Sequence, residues 1–449
     1  MKILIAGAGE VGSHLAKMLS NEKHDIVLID PDEDRLRNVG MNLDVLTIAG
    51  SATSINQLMD ADIKRADLFI SVAKKEETNI TASILAKRLG AKKTIARIDN
   101  QEYLLQGNKE HFNEVGIDYM IYPEGIAARE IVGLLHQTAI NDLVDFSGGK
   151  LQMFVIKLDD KAPIINKSLN ETIEDVEDND YRAVAITRDS QTIIPDGAEK
   201  FKSGDSVYII SNQSSVKDLA KISGKEQFEI RNIMILGGSR IGIKTARDLG
   251  NHHYVKLIEA DREKSYRISN SLNNTLVING DGRDIDLLME EGLNKMDAFI
   301  AVTGNSETNI LSCLLAKRFG VKKTIAEIEN MNYIHIAESI GIDTIINKKL
   351  ITASRIFRFT MTEAVTSLKC LAGTDAEVME FIAQPNSVVT KDALNKITFP
   401  EESIIGGVIR GKSSFIAHGY TQIKPFDKVV VFAMPSAIGK VGKLFNSER

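Results

Sequence analysis

The chain has 449 residues, 43% of them hydrophobic and 26% charged, which is apolar material for several cores, since a single core rarely grows past ~250–300 residues. A formal charge of −6 argues against the basic footprint of a nucleic-acid binder, and no run approaches the ~18 consecutive apolar residues of a membrane-spanning helix. The two cysteines, Cys313 and Cys370, stand in no pairing or metal-ligand spacing and read as small buried hydrophobes in a reducing compartment.

The chain opens on Met1-Lys2-Ile3-Leu4-Ile5-Ala6-Gly7, a single basic residue and a short apolar run before a glycine loop, which reads as a buried strand rather than a signal peptide. Strands follow at Ile26–Ile29, Val45–Ile48, Leu68–Val72, Thr94–Ile98 and Tyr119–Tyr122, separated by stretches with helix-spaced apolar residues such as Ile80, Ile84, Leu85 and Leu89. Alternation of strand and helix at this rhythm predicts right-handed βαβ units and a parallel sheet. After Pro123 a helix carrying Ile126, Ile131, Leu134 and Leu135 leads out of that sheet.

From about Asp145 to Asn212 the pattern changes in kind. Strand-like runs at Phe154–Leu158, Ala183–Thr187 and Ser206–Ile210 are broken by turn residues at Asp196-Gly197 and Gly204-Asp205. This is a small mixed domain of about 70–80 residues, large enough to fold but small for an enzyme's substrate domain. Ser223-Gly224-Lys225-Glu226 then reads as a linker, and the acidic stretch from Glu171 to Asp180 as a solvated helix end and loop rather than a cation site.

Beyond the linker the chain repeats itself. Gly7-Ala8-Gly9-Glu10-Val11-Gly12 returns as Gly237-Gly238-Ser239-Arg240-Ile241-Gly242, an offset of 230. Glu77-Thr78-Asn79-Ile80 and Lys92-Lys93-Thr94-Ile95-Ala96 return at the same offset, and Gly116-Ile117-Asp118 returns as Gly341-Ile342-Asp343 at an offset of 225. Strands are expected again at Ile233–Leu236, Val255–Ile258, Leu276–Ile278, Ala298–Val302, Thr324–Ile328 and Thr344–Ile346, then a helix after Lys348 and a second small domain over about Glu377 to Met434. The fold class is therefore α/β: two Rossmann-like, doubly wound parallel-sheet domains, at 1–122 and 230–348, each followed by a small α+β domain, at 140–224 and 365–449.

The first glycine loop carries the chemistry that can be read from residue types. Gly7 permits a tight turn, Gly9 lets backbone approach a pyrophosphate, and Gly12 allows close contact of helix and sheet, with Ala8, Glu10 and Val11 between them. The helix that opens there offers free N–H groups and a partial positive charge to phosphate. Asp30, at the end of the second strand, would accept from ribose hydroxyls, which favours NAD or an adenosine nucleotide over NADP. The alternative is a purely structural glycine turn.

The second loop departs from this pattern. Ser239 replaces the middle glycine, Arg240 replaces Glu10, and Glu259 stands for Asp30, within Gly237, Gly238, Ile241 and Gly242. Serine blocks the closest backbone approach, but its hydroxyl can bond a phosphate oxygen, and Arg240 adds a cation. Either this loop binds a nucleotide with more phosphate charge than the first, or it is kept for packing alone. In doubly wound sheets ligands sit past the carboxyl ends of the strands, where Ser51, Ala52, Ala73, Lys74 and Arg97 fall, with Asp281, Thr303, Gly304 and Glu327 in the second copy. Arg97 is a candidate phosphate partner or a solvent-facing arginine. Asn79 and Asn309 line the site or cap their helices.

No catalytic group stands out. His14 lies in the helix after the loop and His252-His253 in a turn; there is no Cys–His pair, nucleophile elbow or metal spacing. A doubled nucleotide site without reactive groups suits a sensor, with an NAD-dependent oxidoreductase as the alternative, and the fold itself permits both.

Taken together, Gly7 to Gly12 with Leu28-Ile29-Asp30, the two Glu-Thr-Asn helix starts, Ile95-Ala96-Arg97-Ile98, Leu315-Ala316-Lys317-Arg318 and Val408-Ile409-Arg410-Gly411 resemble the TrkA family, the peripheral regulators of Trk-type potassium uptake built from RCK domains. The resemblance covers the whole chain. It implies a cytoplasmic protein on the inner face of the cell membrane, assembled as a homo-oligomeric ring, a tetramer, beneath a potassium transporter subunit of the TrkH/TrkG class. It further implies NAD(H), and ATP or ADP, as ligands of the glycine loops. Two positions depart from the family: Ser51, where an acid is usual, and Ser239, where glycine is common.

Overall fold

In a computed structural model of the protein, residues 1–21, 24–135, 142–174, 181–189, 191–212, 228–361, 364–371, 374 and 376–447 are described. The apolar runs of the first copy become β1 (Lys2–Ala6), β2 (Asp25–Asp30), β3 (Leu46–Ala49), β4 (Leu68–Ser71), β5 (Lys93–Arg97) and β6 (Tyr119–Ile121). All pair in parallel, in the order β3-β2-β1-β4-β5-β6. Crossover helices α1 (Glu10–Asn21), α2 (Glu33–Gly40), α3 (Ile55–Asp60), α4 (Glu76–Leu89) and α5 (Gln106–Glu114) complete the layer. Helices on both faces explain why β1 and β4 are apolar without alternation: Ile3, Leu4, Ile5, Leu68, Phe69 and Ile70 are all fully buried. The strand order reverses between β1 and β4, and the first glycine loop lies at that switch point.

After α6 (Pro123–Leu135) the first small domain forms the antiparallel sheet β10-β9-β11-β8-β7 from β7 (Asp142–Phe146), β8 (Leu151–Lys157), β9 (Tyr181–Arg188), β10 (Gln191–Ile193) and β11 (Ser206–Ser211), with α7 (Leu169–Glu174). The expected strands are all present, and β7 and β10 are additional: short edge strands that apolar runs alone do not mark. The linker 223–226, and the acidic stretch beyond Glu174, lie outside the described residues.

The second copy repeats the plan. Strands β12 (Asn232–Leu236), β13 (Tyr254–Glu259), β14 (Thr275–Asn279), β15 (Ala298–Ala301), β16 (Lys323–Glu327) and β17 (Thr344–Ile346) form a parallel sheet in the order β14-β13-β12-β15-β16-β17. Its helices are α8 (Arg240–Leu249), α9 (Arg262–Ser271), α10 (Ile285–Glu290), α11 (Ser306–Arg318) and α12 (Ile334–Ser339), followed by α13 (Lys348–Phe357). The last sheet, β18-β19-β22-β20-β21, is built from β18 (Val365–Cys370), β19 (Glu377–Ile382), β20 (Ser403–Arg410), β21 (Ser413–Ile416) and β22 (Lys428–Ala433), and α14 (Pro435–Phe445) closes it. Its order matches the first small sheet strand for strand. Cys313 is fully buried in α11, while the side chain of Cys370 lies outside the described residues.

Two compact units emerge, one of residues 1–126 with 348–362, the other of residues 127–347 with 363–449. In the first, α13, the helix that leaves the second sheet, packs against α1 of the first copy, and the Phe359 ring lies 4.1 Å from that of Tyr119. Within the second, the two small sheets share one core: Phe146, Leu151, Met153 and Ile210 pack with Val378, Ile409, Val430 and Phe432. A polar knot pins that face. Glu380, 2% exposed, accepts from Ser147 Oγ at 2.6 Å and from Lys428 Nζ at 3.1 Å, so the buried carboxylate is matched.

Candidate functional site

The first loop is shaped by two glycines that are sterically obligatory and one that is not. Gly7 has φ +106°, and a Cβ on it would lie 2.9 Å from the Ala73 backbone nitrogen. A Cβ on Gly12 would lie 1.8 Å from the Gly7 carbonyl oxygen, so only glycine lets α1 start this close to β1. A Cβ on Gly9 meets nothing within 4 Å: the backbone there borders open space at the start of α1. Around it, the Gly7 amide donates to the Ile29 carbonyl at 2.8 Å, the Ala8 amide to Asp30 Oδ2 at 2.6 Å, and the Asp32 amide to Asp30 Oδ1 at 2.8 Å. Asp30, buried, is thereby held with its carboxylate against the loop.

The second loop has the same turn with different chemistry. Gly237 again has φ +106°, and a Cβ on Gly242 would meet the Gly237 carbonyl oxygen at 2.1 Å. Glu259 accepts from the Gly238 amide at 3.0 Å and the Asp261 amide at 3.0 Å, as Asp30 does in copy one, and adds an ion pair to Lys264 at 2.6 Å. Glutamate is one methylene longer, and the loop compensates: a Cβ at Gly238 would lie 2.4 Å from Ile268 Cδ1 and 2.7 Å from Glu259 Oε2, whereas Ala8 fits in copy one. Burial pushes the Glu259 carboxyl up, but the Lys264 ammonium and the Asp261 and Gly238 amides outweigh it and hold the group below the ordinary carboxylate range. Ser239 is the N-cap of α8, its Oγ accepting from the Gly242 amide at 3.2 Å, with its own proton left to donate. Arg240 is exposed beside it and Ile241 is buried under the helix, while in copy one Val11 is half-buried.

The remaining expected positions divide. Ser51 is exposed, with its Oγ 2.8 Å from Thr53 Oγ1, Ala52 is buried beside it, and Lys74 is exposed after the half-buried Ala73. In copy two, Asp281 is paired with Arg283 at 2.7 Å, and that guanidinium holds its carboxyl down at about 2. Asn79 and Asn309 are not helix caps: Lys75 and Asn305 occupy those positions. Asn79, 1% exposed, accepts from Ser71 Oγ and the Ala73 amide and donates to the carbonyls of Ala73 and Arg97, so it ties the ends of β4 and β5 together behind the cleft. Asn309 makes the same set with Thr303 and the Glu327 carbonyl. Arg97 is not a solvent-facing arginine: its Nη2 lies 3.4 Å from both Asp99 and Glu124. Glu327 is buried at the matching place in copy two.

Residue types and spacing did not single out Glu124, Lys264 or Lys349. Lys349 Nζ, on α13, lies 2.6 Å from Glu10 Oε2 at the start of α1. The one available signal is positional, because Lys349 aligns with Glu124 at the offset of 225. Among the described residues no group of three or more His, Cys, Asp or Glu side chains is placed to hold a metal ion, and no helix is long and apolar enough to cross a membrane.

Comparison with known proteins agrees with this architecture. The family model of the TrkA-N domain matches residues 3–123 and 233–348, and that of the TrkA-C domain matches residues 153–224. Trk system potassium uptake protein TrkA homolog 1 of Methanosarcina mazei is 33% identical, over 99% of this chain and 100% of its own. The TrkA homolog of Archaeoglobus fulgidus is 34% identical over 99% and 100%, and TrkA of Vibrio alginolyticus 32% over 96% and 95%. Among solved structures, the GsuK RCK domain superposes with a TM-score of 0.60 at 16% identity, over 99% of this chain and 94% of that one. The GsuK channel bound to NAD gives 0.60 at 16% identity, over 99% and 78%, and at this identity both speak to the fold. With two Rossmann sheets, two small sheets and identity above 30% along its length, the chain belongs to the TrkA family of Trk system potassium uptake proteins.

Proposed function

We propose that this chain is a cytoplasmic, nucleotide-sensing regulatory subunit, not an enzyme, that lies on the inner face of the membrane and gates a potassium transporter subunit of the TrkH/TrkG class. The observation that carries the reading is the pairing of open space at Gly9 with the Asp30 carboxylate held against the same loop. Backbone amides at the start of α1 would take the phosphates and Asp30 the ribose hydroxyls of NAD(H), the donor and acceptor types that this ligand calls for. When bound, the dinucleotide supplies negative charge and rigid contacts at the switch point of the sheet. GsuK has been solved with NAD and with ADP, which supports adenine-containing ligands for a loop of this fold.

The second loop suits a ligand with more phosphate charge, ATP or ADP, because Ser239 retains a proton to donate and Arg240 stands exposed beside it. Regulation follows from linkage. Each nucleotide shifts a tetrameric ring only by its differential affinity for two shapes, and several equivalent sites biasing one transition add their effects. Calorimetry of the full-length chain with NADH, ATP and ADP, with capture of the membrane partner in the presence and absence of each, tests the proposal. Saturable binding that changes capture is expected; no heat with any of them at millimolar concentration overturns it.

A further inference from the structure

Three charges around the two clefts are inverted between the copies, while the acid at Asp30 and Glu259 keeps its sign. Aligned at an offset of 230, Glu10 corresponds to Arg240 and Arg97 to Glu327; aligned at 225, Glu124 corresponds to Lys349. Copy one therefore carries acid, base, acid where copy two carries base, acid, base. Two decayed copies of one site would lose charges piecemeal, whereas inversion at all three positions keeps each charge while changing its sign.

Inside the first unit the inversion has a physical counterpart. Helix α13 comes from copy two but packs on α1 of copy one, and Lys349 meets Glu10 there with its own side chain only 8% exposed. An ammonium that buried requires an anion. Glu10 is 65% exposed, so solvent screens the attraction and its contribution to stability is modest. The larger consequence is exclusion. Were α13 to lie on a glycine loop of its own kind, in a neighbouring chain, Lys349 would meet Arg240; were the copy-one exit helix to lie on its own kind of loop, Glu124 would meet Glu10. Either alternative sets the buried charge of the exit helix, Lys349 or Glu124, against a like charge at the helix start and leaves it without a counter-ion, which discriminates against the wrong partner more than it strengthens the right one.

We propose that Glu10 and Lys349 form a pairing code by which the copy-two exit helix recognises the copy-one glycine loop and rejects docking between like modules of different chains. The code concerns docking of copies and not ligand, so it is tested on the full chain without nucleotide. Two readouts are needed: hydrogen exchange of residues 348–357, and mass by light scattering over a range of concentrations. E10K and K349E are each expected to speed exchange in α13 by about tenfold and to raise the mass above that of the unaltered chain as helices pair between chains. The swap E10K/K349E is expected to restore both. Unchanged exchange and mass in the single variants, or a swap no better than either, overturns the proposal. Faster exchange at constant mass overturns it too, leaving only a stabilising ion pair. Should the single variants fail to accumulate in soluble form, the swap must return soluble protein, and a swap that stays insoluble counts against the code.

Discussion

The Ala8 amide and the Asp30 carboxylate are 2.6 Å apart, a bond that joins the glycine loop to the end of the neighbouring strand. Asp30 also accepts from the Asp32 amide, so two of the roughly four acceptor positions of a carboxylate are taken by backbone. The others remain for ribose hydroxyls. Asp30→Ala is therefore expected to weaken NADH binding by about tenfold or more, since one lost hydrogen bond to a charged group is worth about 1.5–3 kcal/mol. Calorimetry reads this, and an unchanged affinity removes Asp30 from the site.

Gly9 and Gly12 separate binding from folding. A Cβ at position 9 meets nothing within 4 Å, so Gly9→Leu is expected to cost the fold about 1 kcal/mol through the helix start, while it fills the place proposed for phosphate. Gly12→Ala drives a methyl group to 1.8 Å from the Gly7 carbonyl oxygen, and backbone must move. The expectation is loss of nucleotide binding with a near-native melting temperature for the first, and a destabilisation of about 1–3 kcal/mol or more for the second. Thermal unfolding and calorimetry on the two variants decide it.

Asn79 tests a different role. Its amide spans the ends of β4 and β5 from a buried position, and Asn309 repeats the arrangement. Truncation orphans several backbone groups at once, each at about 1–3 kcal/mol. Asn79→Ala is expected to lower stability by about 2–4 kcal/mol. If denaturant unfolding shows less than about 1 kcal/mol, water replaces the amide and Asn79 is not the tie between these strands.

How much of this was legible in the sequence depended on range. The parallel strands read directly, because a strand buried on both faces is a continuous apolar run, as at Leu68 to Ser71. The loop glycines read from local demands too: Gly12 makes room for the Gly7 carbonyl and Gly7 supplies a positive φ, although the backbone that a Cβ on Gly7 would strike, at Ala73, is distant in sequence. What sequence missed is what a distant segment supplies. Asn79 looks like a cap from its place near a helix start, and only the meeting of β4 with β5 makes it a tie. Lys349 reaches Glu10 across 339 positions, because α13 leaves one sheet and packs on the other copy. No local pattern encodes that, and the inverted charges at aligned positions were its trace.

Ser239 is the point at which the second loop departs most from the first, and its structural and ligand roles come apart on substitution. As N-cap of α8 it accepts from the Gly242 amide, so Ser239→Ala is expected to lower stability by about 0.5–2 kcal/mol, and Ser239→Gly by only a few tenths. If the hydroxyl also donates to phosphate, Ser239→Gly weakens ATP or ADP binding at the second loop while leaving the melting temperature nearly unchanged. Equal affinity in Ser239→Gly and the unaltered chain assigns the serine to capping alone.

His14 gives the first unit a dependence on pH whose sign is fixed. Burial in α1, then the Lys17 and Lys349 ammonium groups, lower its pKa from the usual 6.5, so the folded protein holds the ring neutral where the unfolded chain has begun to protonate it. Between the lowered value and 6.5 the unfolded state binds more protons, and stability rises with pH. The contribution is thus fully present above about pH 6.5 and is lost as pH falls toward the folded-state value. His14→Gln, which keeps a polar side chain of similar reach and cannot titrate, is expected to flatten the fall in melting temperature between about pH 7.5 and 5.5. Lys349→Met removes one of the two cations and is expected to flatten it in part. An identical slope in the unaltered chain and His14→Gln places the acid sensitivity elsewhere in the fold.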